Sequence, residues 1–313
     1  MTTTLLDLEG LVFLRREAHD RGYTDQQIAR LVRSGEWWRV RRGAYVAGDV
    51  WGSLGDADRA RLRSRAVLKA AHPSTVLTHV SAALEWGAPV WGYSLDEVHT
   101  SRPETASGRR EAGIVHHRGL LPPDHVTQVN GVRLTTPLRC ALELSALGSV
   151  EQALVSVNAL MHARLVEPGA FSALARELRH WPGTLGVNLV SRLADPRLES
   201  AGESRTAYFI WAHHLPRPVP QYEVHDGAGR VLARLDFAWP EHGVFLEFDG
   251  MSKYREHRRP GESVEDYLLR EKRREELVSQ MTGWTGLRLR WADLDRPHEL
   301  ASRIRRVLAQ REG

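Results

Sequence analysis

The most constraining feature of the sequence is a pair of apolar, strand-like segments that carry three acids. Residues 231–239 and 244–248 are separated by a short turn containing a proline and a glycine, a pattern typical of a β-hairpin. Asp236 is predicted to end the first strand, while Glu247 and Asp249 stand two residues apart on the second, so these two share one face. The pattern predicts a small sheet with three carboxylates at one end.

Carboxylates crowded in this way repel one another unless a cation lies between them. Their hard oxygen atoms suit Mg²⁺, or the similar Mn²⁺, which keeps several water molecules when a protein binds it. Sites of this kind support metal-assisted hydrolysis of phosphodiesters. Asp236, Glu247 and Asp249 are therefore predicted metal ligands, and the alternative is a set of solvated acids near a turn.

The charge of the chain is mildly basic and unevenly distributed. Its 313 residues include 43 Lys and Arg against 39 Asp and Glu, and only three of the basic residues are lysines. Arginine suits bidentate contacts with phosphate. One cluster comprises Arg39, Arg41 and Arg42, and another extends from Arg255 to Arg290. Such clusters favour a nucleic-acid partner, and the alternative is that the second cluster forms ordinary ion pairs on a helix surface.

Several classes of protein are disfavoured by composition. The single cysteine, Cys140, excludes an internal disulfide and a multi-cysteine zinc site. No apolar run approaches the roughly 18–20 residues that a membrane helix needs. The amino terminus lacks the basic and apolar regions of a signal peptide. We therefore expect a cytoplasmic protein without a membrane partner.

Residues 1–50 carry the pattern of a winged helix-turn-helix. Leu11, Leu14 and Ala18 recur at helical spacing, which predicts a first helix. Thr24 is a suitable N-cap for a second helix over residues 25–32. A basic two-stranded wing over residues 38–46, with its turn at a glycine, follows.

This arrangement predicts DNA binding, with one helix in the major groove and the wing on the phosphates. A winged helix that binds protein is the alternative. The residues predicted to contact DNA are the polar ones of the second helix and the wing, namely Gln27, Arg30, Arg39, Arg41 and Arg42.

Residues 51–182 are predicted to form a middle α/β domain. Helices are expected over residues 56–71, 81–86, 137–147, 150–163 and 170–179, and strands near residues 97–100, 113–117 and 126–134. His116 and His117 are adjacent on a strand and face opposite ways, so they cannot form a two-histidine site by themselves. We predict a structural role for both, and for His72, His213 and His214.

Residues 183–313 are predicted to form a carboxyl-terminal α/β domain with a central mixed sheet. Helices are expected within residues 183–213, with Glu199 and Glu203 on one helix face, and a strand over residues 219–224 precedes the hairpin. A helix over residues 263–281, a strand over residues 287–290 and a helix over residues 297–310 follow.

The motifs Glu203-Ser-Arg, Asp236-Phe-Ala-Trp-Pro, Glu247-Phe-Asp-Gly and Glu271-x-x-Arg274, in this order of elements, resemble the PD-(D/E)XK nuclease fold. The likeness is to its very-short-patch-repair-like branch. The resemblance implies that Asp236 and Glu247 bind the metal and that Glu203 contributes an acid from a helix.

Asp249 stands where the general pattern of that fold has lysine, a replacement that this branch tolerates. Lys253 lies four residues farther on and is a candidate to reach back to the site. If the protein is an endonuclease, Lys253, Arg274 and Arg288 are predicted to stabilise phosphate charge.

The segments over residues 76–87, 96–100 and 129–139, together with the winged helix, resemble the abortive-infection type IV antitoxin family over roughly residues 5–165. Membership of that family implies DNA binding through the winged helix and repression of its own operon. The expected partners are DNA, a cognate toxin and a second copy of the chain as a homodimer.

The sequence thus predicts an α+β multidomain protein divided at residues 1–50, 51–182 and 183–313. The predicted function is a Mg²⁺-dependent DNA endonuclease with a DNA-binding winged helix, in phage defence or a toxin–antitoxin context. The alternative is a non-catalytic, antitoxin-type transcriptional repressor.

Overall fold

The computed structural model describes residues 5–102, 108–178, 184–250, 263, 265–266, 270, 276 and 278–310. Lys253, Glu271 and Arg274, and most of the helix predicted over residues 263–281, lie outside these residues. The chain divides into two compact units, Met1–Ala194 and Asp195–Gly313, so the boundaries predicted at residues 50 and 182 both fall within the first unit. None of the helices in the described ranges combines the length and the apolar character needed to span a membrane.

The first unit begins with a winged helix. Its elements are β1 Phe13–Leu14, α1 Arg15–Asp20, α2 Asp25–Ser34, β2 Trp37–Arg41 and β3 Ala44–Ala47, with sheet order β1-β3-β2. The predicted cap of α2 is confirmed, because the Thr24 side chain accepts from the Gln27 backbone N–H. The helix ends at Gly35, whose φ of 80° is left-handed and favours glycine.

The prediction for the first helix was wrong in extent. Leu11 and Leu14 lie outside α1, because Leu14 pairs with Ala44 as part of β1. A short strand that completes the wing sheet therefore replaces the first turn of the predicted helix. Ala18 is on α1 and is buried, as its spacing indicated.

The core of the winged helix extends beyond residue 50. Helices α3 Gly48–Ser53 and α4 Asp56–Ala70 follow the wing. Leu62 and Ala66 of α4 are fully buried in one cluster with Leu14 and Val46. Burial of the α4 face thus completes the amino-terminal core.

Arg61 of α4 is almost completely buried and is paired on several sides. Its guanidinium donates to the Leu6 carbonyl oxygen at 3.2 Å, to Asp58 at 2.9 Å and to Glu85 at 3.3 Å. Arg65 adds a second cation to Glu85 at 3.0 Å. A buried charge is tolerated when it is paired in this way, and breaking one side of such a pair costs several kcal/mol, about 3–5.

The rest of the first unit is a six-stranded sheet with helices. The elements are β4 Val76–Leu77, α5 His79–Glu85, β5 Val98–Ser101, β6 Arg109–Glu111, β7 Ile114–His117, β8 Val126–Val129, β9 Val132–Thr135, α6 Pro137–Leu147, α7 Val150–His162, α8 Pro168–Glu177 and α9 Thr184–Leu193, with sheet order β6-β7-β5-β4-β9-β8. The segment predicted as one strand over residues 126–134 is the β8–β9 hairpin. Asn130 and Gly131 have φ values of 46° and 72°, which suit a two-residue hairpin turn.

The second unit contains a four-stranded mixed sheet. Its elements are α10 Ala201–Ala212, β10 Val219–His225, β11 Val231–Trp239, β12 Val244–Phe248, β13 Thr285–Leu289, α11 Trp291–Leu294 and α12 Pro297–Ala309. The order is β10-β11-β12-β13; the first two pairings are antiparallel and the last is parallel. The predicted β11–β12 hairpin is confirmed, but Asp236 lies within β11 and does not end it, because Phe237, Ala238 and Trp239 pair with β12. The strand predicted over residues 287–290 begins two residues earlier, at Thr285.

Candidate functional site

The side chains of β11 change the side of the sheet on which they pack at Asp236. Leu235 packs in one apolar cluster with Val224, whereas Phe237 packs in a different cluster with Leu246. Regular alternation would place residues 235 and 237 on the same side of the sheet. The strand is therefore rotated locally at Asp236.

The neighbouring strand is distorted at the same level. Gln221 lies between Pro220 and Tyr222, whose partners on β11 are Phe237 and Leu235, so it stands opposite Asp236. Its φ of 53° is left-handed, which costs a non-glycine residue about 1–3 kcal/mol. Such strain persists only where the surroundings impose it, and it is concentrated at functional sites.

Asp236 is held by the adjacent strand. Its side chain is 8% exposed, and its Oδ2 accepts the Phe248 backbone N–H at 2.8 Å. Because Phe237 pairs with Leu246, the next position of the same register places Asp236 beside Glu247. A backbone donor of β12 thus fixes the orientation of the Asp236 carboxylate.

Glu203, on the first turn of α10, is 2% exposed. Its Oε1 accepts from the Ser200 hydroxyl at 2.8 Å, and its Oε2 accepts from Gln221 Nε2 at 2.7 Å and from the Glu199 backbone N–H at 3.1 Å. Gln221, the strained residue opposite Asp236, is therefore also the residue that contacts Glu203 on α10. This hydrogen bond connects Glu203 to the distorted part of the sheet at Gln221 and Asp236.

Gly202 permits the close approach of α10 to the sheet. A Cβ atom at this position would lie well under 3.0 Å from three ring carbons of Phe248. Phe248 is itself buried, so its ring has no solvent-filled space into which it can move. The absence of a side chain at Gly202 therefore allows the first turn of α10, which carries Glu203, to pack closely against the end of β12.

Asp249 and Arg288 complete this part of the sheet. The Asp249 backbone N–H donates to the Leu289 carbonyl at 2.7 Å, and Asp249 Oδ2 lies 3.6 Å from Arg288 Nη1. Arg288 is also the register partner of Glu247 on the parallel strand β13. A predicted phosphate-binding arginine thus lies beside two predicted metal ligands.

The sequence did not identify Gln221 or Gly202. Gly202 is adjacent to Glu203 in the chain, and a glycine inside a helix is a usable signal of close packing. Nothing in the sequence marks Gln221, because its importance comes from the residue opposite it on β11. We name Glu203, Gln221, Asp236, Glu247 and Asp249 the carboxylate site.

The second group of predicted site residues lies on the winged helix. Arg30, Arg39 and Arg42 are exposed and Arg41 is half-buried. Across the described part of the chain, none of these four arginines forms an ion pair or a side-chain hydrogen bond. The wing turn is formed at Gly43, where φ is 76°. Four cations without internal partners give this surface a positive potential that attracts phosphate.

Gln27 has a different environment from the arginines. It is exposed on α2, but its side-chain Oε1 accepts the Thr24 backbone N–H at 2.8 Å. This bond is half of a capping box at the start of the helix. The side-chain oxygen is engaged in the cap, which leaves the amide NH₂ group to contact a ligand.

Comparison with known proteins gives one family match. Residues 4–48 match the family described as "Transcriptional regulator, AbiEi antitoxin". The matched segment contains α1, α2 and the β2–β3 wing, so the antitoxin-type regulator resemblance is supported for the amino-terminal part of the chain.

Two curated relatives extend over nearly the whole chain. "Uncharacterized protein MT2308" of Mycobacterium tuberculosis strain CDC 1551 / Oshkosh and "Uncharacterized protein Rv2248" of strain ATCC 25618 / H37Rv are each 28% identical over 291 residues. The alignment covers 91% of this chain and 97% of each relative. The alignment is therefore long enough to extend over parts of both compact units.

Proposed function

We propose that this chain is an antitoxin-type regulator that binds duplex DNA through its winged helix. The observation that carries the proposal is the set of Arg30, Arg39, Arg41 and Arg42, which form no ion pairs with the residues that the structure describes and lie within the segment that matches an antitoxin regulator family. Helix α2 would enter the major groove, and the wing would contact phosphates. Repression of its own operon and a cognate toxin partner follow from the same proposal.

The test is titration of fluorescent duplex DNA, taken from the region upstream of its own gene, with the wing variant R39A/R41A/R42A. We expect at least a tenfold loss of affinity at moderate salt, because three phosphate contacts are removed. The slope of log K against log salt should fall by about 2.7, since each phosphate contact contributes about 0.9.

A matched variant, R118A/R164A/R176A, removes the same charge from three other exposed arginines of the first unit. This variant should retain the wild-type slope and most of the affinity. Equal losses in the two triple variants would show that net charge, and not the wing, determines binding. Unchanged binding in the wing variant would reject the proposal.

A second function, a Mg²⁺-dependent endonuclease, is favoured by the distortion at Gln221 and Asp236. The chemistry of the donors suits the ion, because the carboxylate site offers hard oxygen atoms and the Phe248 N–H fixes one of the carboxylates. The ligand atoms of Asp236, Glu247 and Asp249 do not all lie within 4.8 Å of one another in the structure, so these side chains would have to move closer together to share one ion. Asp236, Glu247 and Asp249 would hold Mg²⁺ or Mn²⁺. The bound ion would supply an activated water and charge stabilisation.

Other residues of the chain would assist this activity. Glu203 would position groups around the ion from the helix side, through Gln221. Arg288, beside Asp249, would neutralise charge on the scissile phosphate. Lys253 and Arg274 are proposed for the same role.

Plasmid nicking with Mg²⁺ or Mn²⁺ tests the nuclease proposal, and D236N and E247Q are the informative variants. We expect both to abolish nicking, while E223Q, which removes an exposed acid from β10 of the same sheet, should retain it. Binding of Mn²⁺, followed by electron paramagnetic resonance, supplies a readout that is independent of activity. Failure of the wild type to nick DNA and to bind Mn²⁺ would reject this proposal and leave the DNA-binding proposal intact.

A further inference from the structure

The first unit brings together three histidines that are distant in sequence. His79 is the first residue of α5, His99 lies on β5 and His117 lies on β7. Their ligand atoms all lie within 4.8 Å of one another, and they form the one such group of three metal-ligating side chains in the described ranges. Of the two adjacent histidines, His117 belongs to this group and His116 does not.

The parallel pairing of β5 and β7 explains this convergence. His99 pairs with Val115 and Ser101 pairs with His117, so His99 and His117 lie on the same face of the sheet. His99 Nδ1 is 2.8 Å from His117 Nε2. The ring of His79 stacks on that of His117, with centroids 3.6 Å apart and planes inclined by 16°.

His79 adopts a strained backbone conformation to reach this position. Its φ is 48°, in the left-handed region that a non-glycine residue seldom occupies. Its backbone N–H donates to Glu143 Oε2 at 2.9 Å, and the preceding Thr78 N–H donates to the His99 carbonyl at 3.1 Å. These two bonds hold the start of α5 against β5, which places the His79 ring over His117.

The three imidazoles are neutral in this environment. Burial lowers the pKa of His99 and of His117 to about 4, and it also lowers the pKa of His79. Nδ1 of His79 is buried and has no hydrogen-bond partner among the described residues. Leaving a buried polar atom without a partner costs about 1–3 kcal/mol. Neutral imidazoles with available lone pairs are the form in which histidine binds a metal ion.

A carboxylate stands behind the cluster. Glu143 is buried, and its Oε2 lies 3.8 Å from Nδ1 of His79. The other oxygen of Glu143 accepts Arg139 Nε at 2.9 Å, and Oε2 also accepts the Thr135 hydroxyl at 3.0 Å. Carboxylates commonly orient a metal-bound imidazole through its second nitrogen. Glu143 is placed to do this for His79 once Nε2 binds an ion.

We propose that His79, His99 and His117 bind a first-row divalent transition ion, with Zn²⁺ as the reference ion. Three nitrogen donors suit Zn²⁺ and its neighbours better than Mg²⁺. Tetrahedral Zn²⁺ with bonds of about 2.0–2.1 Å requires nitrogen atoms roughly 3.3 Å apart. The 2.8 Å separation of His99 and His117 is close to this value, and the rings, now stacked at 15° and 16°, would turn so that their in-plane lone pairs meet at the ion.

Three protein ligands leave the fourth position for water or another donor, which is the pattern of an open zinc site. The His79 side chain is 14% exposed, and His99 is 5% exposed. This site is chemically distinct from the carboxylate site, since it offers nitrogen donors and no acid as a direct ligand. The two sites are therefore expected to select different ions.

The experiment uses the full chain, stripped of metal by a chelator and then titrated with Co²⁺ and Zn²⁺. We expect one equivalent of Co²⁺ to give the visible spectrum of a tetrahedral nitrogen-ligated ion, and Zn²⁺ to displace it. H79Q and H117Q should each weaken binding at least 100-fold. H116Q is the matched control, because His116 is adjacent to His117 but contacts Thr100 instead.

Further measurements on D236N and on the wild type test the proposal. D236N should bind Zn²⁺ as the wild type does, which separates this site from the carboxylate site. The wild-type Co²⁺ spectrum decides the outcome even if a histidine variant fails to fold. No binding of Co²⁺ or Zn²⁺ by the wild type at micromolar concentration, or equal loss in H116Q and H117Q, would overturn the proposal.

Discussion

The winged helix and the carboxylate site hold their charges in opposite ways. On the winged helix, Arg39 and Arg42 are exposed and lack ion pairs among the described residues. At the carboxylate site, Asp236 and Glu203 are buried and make defined hydrogen bonds to a strand and to a strained glutamine. An exposed charge is solvated by water, whereas a buried charge needs hydrogen-bond or ion-pair partners within the protein. Substitutions should therefore separate binding from stability in the first region but not in the second.

The largest loss of stability is expected for G202A at the carboxylate site. The new Cβ would collide with the buried ring of Phe248, and overpacking of this kind costs up to about 3 kcal/mol. Urea unfolding of the full chain measures the effect. G227A is the control, since a Cβ there meets nothing within 4 Å. If G202A/F248L does not recover part of the loss, the collision is not its cause.

A smaller loss, about 2 kcal/mol, is expected for D236A. This change leaves the buried Phe248 N–H without its acceptor, whereas D236N keeps an oxygen atom at that position. Hydrogen exchange of the Phe248 amide in the full chain measures the difference. We expect much faster exchange in D236A than in D236N. Equal rates in the two variants would contradict the assigned hydrogen bond.

A change of about 1 kcal/mol should distinguish Q221G from Q221A. Both variants lose the hydrogen bond to Glu203, but only glycine tolerates a φ of 53° without strain. Q221G is thus expected to be the more stable of the two, the reverse of the usual order within a strand. Hydrogen exchange along β11 reports the order, and a more stable Q221A would show that the backbone is not strained.

The smallest change in stability is expected on the wing. R39A and R42A should each alter the free energy of unfolding by no more than about 0.5 kcal/mol, because neither side chain has a polar partner to lose within the described ranges. Both should nevertheless weaken DNA binding. Thermal unfolding and the DNA titration, performed on the same samples, test this separation. Destabilisation above 1 kcal/mol would mean that the arginines support the fold.

The features that the sequence predicted well depend on neighbours along the chain. The cap at Thr24, the helix end at Gly35 and the β11–β12 hairpin follow from local turn and capping chemistry. The extent of α1 was mispredicted because pairing of β1 with β3 overrides a helical spacing. Pairing between strands that are distant in sequence cannot be predicted from local patterns.

The sites themselves were predicted only in part, for the same reason. Asp236, Glu247 and Asp249 occur within one hairpin, so their grouping is visible in the sequence. Gln221 stands opposite Asp236 only through the register of β10 on β11. His79, His99 and His117 meet through a crossover within a six-stranded sheet. Convergence of this kind requires the tertiary structure.

The buried guanidinium of Arg61 bears on whether the DNA-binding segment is an interchangeable module. The family match ends at residue 48, ahead of the helix that carries Arg61, Leu62 and Ala66. A fragment cut there would lose the apolar floor of its own core, and in the remaining chain the buried Arg61 would keep Glu85 but lose its acceptor at the Leu6 carbonyl. A segment grafted onto another protein should therefore have to include α4 and α5 as well as the wing. This requirement limits the exchange of the DNA-binding segment between genes to fragments that extend at least through α5.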